Sequence, residues 1–250
     1  AIFRGALLVL SALSCSNALK SLKPCGSTPM EGILGLIFEG VSAWPKPAPE
    51  QVSWVFTSQD LIIVTNSSLG VERYNDTALP SSLRKEGYFH IGDISVVDGK
   101  ILAPIENEDK SAHRAVIGIW DATTLRMVGP IGKTTQLHMP WLAYRASKKL
   151  LYSSEFDNVT ELLVYDMDLN EVDRVALDQT LPEGVQGGTF MGDTLFVSTN
   201  ANDSVVEINP DTGAVGAIAR QNRGAEMEGI AFFDFESTPV PACPTCCGQL

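Results

Sequence analysis

The strongest constraint on the fold is a unit of paired strands that recurs along most of the chain. Four segments contain a β-rich strand, a short polar turn and a second apolar strand, and the second strands begin at Leu61, Ile101, Leu150 and Thr194. The steps between these positions are 40, 49 and 44 residues. In three units another hairpin follows, around a turn rich in Asp and Asn. Two hairpins per unit predict a four-stranded antiparallel sheet.

Sheets that recur at about 40 to 50 residues are typical of β-propeller blades. A twisted four-stranded sheet buries both faces only against its neighbours, and a ring of sheets leaves few exposed ends. The sequence therefore predicts an all-β propeller with blades of about 44 residues. At most five blades are visible, which also fits a truncated six- or seven-bladed ring. A β-sandwich is the alternative, because its strands also recur with turn signals.

Four segments of different composition divide the chain. In residues 1–18, Arg4 precedes a short apolar run, and Ser16 and Ala18 have the spacing of a cleavage site, so a signal peptide is predicted. The apolar run is too short for a membrane span. Residues 19–49 form an N-terminal segment that could complete the last blade. The propeller repeats occupy 50–236, and a tail rich in Cys and Pro occupies 237–250.

Two further features predict a secreted protein, located outside the cell or in the lumen of the secretory pathway. Sequons for N-glycosylation begin at Asn66, Asn75, Asn158 and Asn202. After the predicted signal peptide, cysteines lie only near the two ends of the chain, at Cys25, Cys243, Cys246 and Cys247. In an oxidising compartment this distribution indicates disulfides that join the termini, with the pairing left open. A metal knuckle in the C-terminal tail is the alternative.

The charge of the chain limits the class of partner. Lys and Arg number 18 and Asp and Glu number 30, which gives a net charge of −12. Nucleic acids and anionic membranes attract proteins with a positive field, so neither is expected as a partner. The predicted partner is a small molecule or a protein.

Polar residues at the start of each inner strand are the candidates for a functional site, because inner strands line the central channel of a propeller. These residues are His90, Asp93, His138, Gln186 and Glu228. A ring of His and Glu side chains could hold a divalent cation, calcium or zinc. The alternatives are structural: the histidines would be hydrogen-bonded within the fold, Asp93 would bind amides of a neighbouring blade, and Glu228 would be a solvated acid.

Two turns carry a resemblance to known propellers. Trp120-Asp-Ala-Thr-Thr-Leu and Asn209-Pro-Asp-Thr-Gly each follow an aliphatic strand and precede another strand. In this respect residues 50–235 resemble propellers with YVTN, NHL or strictosidine-synthase-type units. That group contains lactonases, esterases, lyase-like enzymes and non-enzymatic binders, so the resemblance implies a fold and no single chemistry. Similarity to gluconolactonase-type propellers would imply an axial calcium held by Glu and Asn, and Glu228 is the residue that matches.

The functional prediction is a binding or recognition module whose ligand occupies the mouth of the central channel. Contacts to the ligand are expected from blade loops such as 105–115 and 153–160. The alternative is a metal-dependent hydrolase of lactonase or esterase type that uses the axial ring of His and Glu. Whether the protein is an enzyme stays open at this point.

Overall fold

The computed structural model describes residues 8–10, 38–46, 52–111, 113–201, 203–220 and 227–233. In these ranges the chain is all-β apart from the single-turn helix α1 (Ser81–Lys85). Four antiparallel sheets form the blades of a propeller, which confirms the predicted fold class. Within the described residues, no helix has the length and apolar character that a membrane crossing requires.

The strands are numbered along the chain, and each blade uses consecutive strands. The short strand β1 (Leu8–Leu10) precedes the blades. Blade I contains β2 (Gly40–Pro45), β3 (Val52–Ser58), β4 (Leu61–Thr65) and β5 (Val71–Asn75). Blade II contains β6 (Tyr88–Ile91) and β7 (Ser95–Val97), which both pair with β8 (Lys100–Asn107), followed by β9 (Val116–Asp121) and β10 (Gly132–Lys133).

The second half of the chain repeats the same order. Blade III contains β11 (Ala143–Arg145), β12 (Leu150–Ser153), β13 (Glu161–Tyr165) and β14 (Glu171–Ala176). Blade IV contains β15 (Val185–Met191), β16 (Thr194–Thr199), β17 (Ser204–Ile208) and β18 (Val215–Arg220). The last strand, β19 (Ile230–Phe232), pairs in parallel with β1.

The repeat predicted from the sequence matches these strands closely. The strands β4, β12 and β16 begin where expected, and β8 begins one residue earlier. Residues 40–45, which the sequence analysis assigned to a segment able to complete the last blade, pair with β3 and form the first strand of blade I. Four complete blades are present in the described residues, together with β19 as a fifth inner strand.

Five inner strands surround the axis of the propeller. In ring order they are β2, β7, β11, β15 and β19, and β19 lies between β15 and β2. Their backbones approach closely. A Cβ atom added to Gly92 would overlap the carbonyl oxygen of Pro140, and one added to Gly188 would overlap the ring of Trp141. Glycine is therefore required at these positions by the lack of space.

The hydrophobic core lies between the blades. One cluster joins blades I and II, another joins blades II and III, and a third joins blades III and IV. The fully buried indoles of Trp120 and Trp141 each make a hydrogen bond, to the Ala78 carbonyl at 2.9 Å and to the Ser154 hydroxyl at 3.1 Å. Large side chains between sheets, with their polar atoms satisfied, hold the blades in one arrangement.

Candidate functional site at the mouth of the axis

Asp93 is a fully buried carboxylate at the centre of the ring of inner strands. Its Oδ1 accepts a hydrogen bond from the Val41 amide at 2.8 Å, and its Oδ2 accepts from the amides of Gly188 at 3.1 Å and Ile230 at 3.3 Å. One side chain thus binds β2, β15 and β19. Burial raises the pKa of Asp93 to about 8, although the amides that bind it act in the opposite direction.

The backbone of Asp93 binds the remaining inner strand. Its amide donates to the Pro140 carbonyl at 2.8 Å, and its carbonyl accepts from the Leu142 amide at 3.1 Å, in a parallel bridge to Trp141, two residues before β11. Asp93 therefore joins all five inner strands and has no exposed surface for a ligand. Its contacts are those of a structural residue.

The common contact with Asp93 sets the register of the inner strands. In the segment that leads into each inner strand, a polar residue lies two or three positions before the residue at the Asp93 contact. These polar residues are Glu39, His90, His138, Gln186 and Glu228. Because the strands run in the same direction around the axis, these positions lie at one end of the channel. Four of the five positions were predicted from the sequence, and Glu39 was not.

Glu106, on β8, has the most buried acidic side chain at this end. Its side chain is 1% exposed, and neither carboxylate oxygen has a partner with hydrogen-bond geometry in the described part of the chain. Charged or polar nitrogens surround it: Lys110 Nζ lies 3.1 Å from Oε2, His138 Nε2 lies 3.2 Å from Oε1, and His90 Nδ1 lies 3.9 Å from Oε2. Burial raises the pKa of Glu106, while the charges of His90 and Lys110 oppose that shift.

His90 lies between two carboxylates. Its Nε2 is 3.2 Å from Oε2 of Glu39, and its Nδ1 faces Glu106. Burial alone would lower the pKa of His90, but the hydrogen bond and charge of Glu39, with the charge of Glu106, raise it above its ordinary value. His90 therefore holds a proton more readily than a free imidazole does, between the two acids.

His138 has a different environment. Its ring stacks on Phe156 with centroids 4.4 Å apart, and its backbone amide donates to Oε2 of Glu155 at 2.9 Å. Its Nε2 is 2.9 Å from Nζ of Lys110. Burial, and then the positive charges of Lys110 and His90, lower the pKa of His138 to about 3. The imidazole is neutral at neutral pH, and its Nε2 can accept a hydrogen bond from the Lys110 ammonium.

These five side chains, Glu39, His90, Glu106, Lys110 and His138, are called the mouth cluster below. In the described residues, no group of three or more His, Cys, Asp or Glu side chains has the arrangement of a metal site. The two imidazoles approach different oxygens of Glu106, and the Lys110 ammonium lies against both Glu106 and His138. The arrangement is suited to binding charged or hydrogen-bonding groups and to proton transfer.

The other predicted residues have mixed outcomes. Asn66 and Asn158 are exposed, whereas Asn75 is half-buried and donates from Nδ2 to the Leu125 carbonyl at 2.7 Å. Asn202, Cys25, Cys243, Cys246 and Cys247 lie outside the described residues. Glycosylation and disulfide formation stay predictions.

Comparisons with known proteins show no family for this chain. No family model matches the chain, and no curated protein matches it. Among solved structures, the chain is similar to a luciferin-regenerating enzyme, with a TM-score of 0.49 and 12% sequence identity. The similarity covers 74% of this chain and 63% of the other, so this chain spans less than two thirds of that enzyme's length.

Proposed function

We propose that the protein is a secreted propeller that recognises a small molecule at the mouth of its central axis. Glu106 is the observation that supports this proposal. Within the described residues its oxygens have ion-pair contacts but no partner with hydrogen-bond geometry; a buried carboxylate of this kind is unfavourable for the folded chain, and such groups concentrate at functional sites. The side chains that surround it are partly exposed, with 24% for His90, 26% for His138 and 37% for Lys110. A ligand at the mouth can therefore reach the cluster from solvent.

The experiment titrates the isotope-labelled full chain with a panel of small polar compounds, and NMR monitors each step of the titration. We expect a bound compound to shift the resonances of the mouth cluster, and we expect Glu106→Gln to weaken its binding about tenfold or more, as the loss of a charged hydrogen bond does. Glu207→Gln is the matched control, because Glu207 lies on β17 of blade IV. Equal binding by Glu106→Gln and the wild type would contradict the proposal.

A hydrolase of ester or lactone type is the second candidate. The Glu106 carboxylate, with Nε2 of His138 3.2 Å away, favours it, because burial raises the pKa of Glu106 and makes this carboxylate a stronger general base on water. The test measures turnover of γ-lactones and nitrophenyl esters by the wild type, with and without added zinc or calcium. This candidate requires turnover that both Glu106→Gln and His138→Asn abolish, and a wild type without turnover would eliminate it.

A further inference from the structure

We propose that the mouth cluster binds the primary ammonium group of a small-molecule ligand in the pocket formed by Glu106 and His138. The Lys110 side chain occupies this pocket until the ligand displaces it. The inference rests on the proposed binding function and names the chemical class of its ligand.

The acceptors of the pocket match an ammonium group. Lys110 Nζ is at hydrogen-bonding distance from Nε2 of His138, 2.9 Å, and forms an ion pair with Oε2 of Glu106 at 3.1 Å. A proton on Nε2 of His138 would face the ammonium, so that two donors would oppose each other. Nε2 therefore accepts. It lies 3.2 Å from Oε1 of Glu106, and two acceptors this close are stabilised by the cation beside them.

The pocket is held by the fold, whereas its occupant is not. Glu106 belongs to the central strand β8 of blade II, and β6 and β9 pair with that strand on either side. His138 is fixed by the Phe156 ring and by the bond from its amide to Glu155. Lys110 lies in the connection between β8 and β9, and its side chain is 37% exposed. A lysine side chain has four rotatable carbon–carbon bonds, so Lys110 can move into solvent without a change in the blade.

Charge determines which ligand can replace Lys110. Glu39 and Glu106 supply two carboxylates to the cluster, against Lys110 and the His90 imidazole between them. A ligand ammonium that takes the place of Lys110 keeps this balance. A neutral or anionic ligand would leave the Glu106 carboxylate buried without its closest cation, which is strongly unfavourable. The ligand class is therefore a compound with a primary ammonium group.

The experiment uses propylammonium chloride as the probe at constant ionic strength, with the imidazole resonances of the full chain followed by NMR. The wild type is compared with Lys110→Met, with the double variant Lys110→Met/Glu106→Gln, and with the control Lys133→Met, which removes an exposed lysine from β10 of the same blade. We expect Lys110→Met to bind propylammonium about tenfold more tightly than the wild type, because the internal competitor is gone. The control should match the wild type, and the double variant should lose binding.

Three outcomes would overturn the inference. The first is a Lys110→Met variant, folded by circular dichroism, that shows no shift of the His138 resonance with propylammonium. The second is an equal response to uncharged 1-propanol. The third is binding of zinc chloride without binding of propylammonium, which would make the cluster a metal site. If a panel compound still binds in a manner that depends on Glu106, the proposed function stands and only the ammonium class is wrong; if neither binds, both fail.

Discussion

The glycines at the axis allow the inner strands to approach one another. Gly92 lies directly before Asp93, and the space where a Cβ atom would point is filled by the Pro140 backbone. A backbone obstruction cannot move aside as the end of a flexible side chain can. The position is therefore sensitive to the smallest substitution.

We expect Gly92→Ala to lower the free energy of unfolding by roughly 2 kcal/mol or more, because it forces two inner strands apart. Urea denaturation measures the change. The control is Gly216→Ala at an exposed glycine of β18, where a new Cβ would meet only the Glu207 side chain at an ordinary 3.6 Å. Similar stability of the two variants would show that the axis is not as close-packed as described.

Asp93 makes stability depend on pH. Its pKa is raised from 3.8 to about 8 in the folded chain, so the folded state keeps a proton that the unfolded state releases as the pH rises above 3.8. Its contribution to stability therefore falls with rising pH and levels off above about pH 8, with a slope of at most about 1.4 kcal/mol per pH unit. We expect the difference in unfolding free energy between the wild type and Asp93→Asn to shrink from pH 5 to pH 8. A difference that grows over that range would contradict the assignment.

The residues of the site were only partly predictable from the sequence. His90 and His138 stand out in the sequence because the repeat places both near the start of an inner strand; in the structure His90 lies within β6 and His138 precedes β11. Glu106 lies on β8, outside the ring of inner strands. Its contact with His138 depends on how blades II and III pack, which a local sequence pattern does not predict. A signal was nevertheless present, since Glu106 interrupts the apolar run of β8.

The turns between the third and fourth strands explain why the repeat could be recognised. In all four blades an Asp or Asn at the end of the third strand, or directly after it, accepts hydrogen bonds on its side chain from amides two to four residues later; these residues are Asn66, Asp121, Asp166 and Asn209. This Asx turn sets the local backbone without help from other blades. Element positions were therefore predictable, whereas contacts between blades were not.

The predicted glycosylation sites differ in their environment. Asn158 is exposed in the connection between β12 and β13, while the amide of Asn75 holds the Leu125 carbonyl of blade II at 2.7 Å. In a eukaryotic secretory host we expect Asn158→Gln to remove the mass of one glycan, and Asn75→Gln to leave the mass of attached glycan unchanged. Mass spectrometry before and after enzymatic deglycosylation checks this, and glycan found at Asn75 would contradict it.

At the scale of the whole molecule, blades III and IV are joined by Arg145. Its guanidinium is 3% exposed, pairs with both oxygens of Asp211 at 2.7 and 2.8 Å, and contacts Asp193 at 2.9 Å. A bidentate pair with a buried guanidinium contributes more than a pair in which both partners are exposed and held by a single contact. These contacts therefore fasten blade III to blade IV.

We expect Arg145→Met to lower the melting temperature by several degrees, since it leaves two carboxylates without their shared partner. Arg174→Met is the control, because Arg174 is 44% exposed and its acidic partners, Glu161 and Glu171, lie in its own blade. Differential scanning calorimetry compares the two. An equal loss in both variants would show that the contact between blades is no stronger than a surface ion pair.

The most direct test of the mouth cluster is the pKa of His138 measured by NMR in the full chain. The chain has three histidines, so its imidazole resonances can be assigned with single substitutions. We expect a pKa near 3 for His138 in the wild type, and a higher pKa in Lys110→Met, where the adjacent positive charge is removed. A wild-type pKa at the ordinary value of 6.5, unchanged by Lys110→Met, would show that Lys110 and His138 do not meet and would contradict the site.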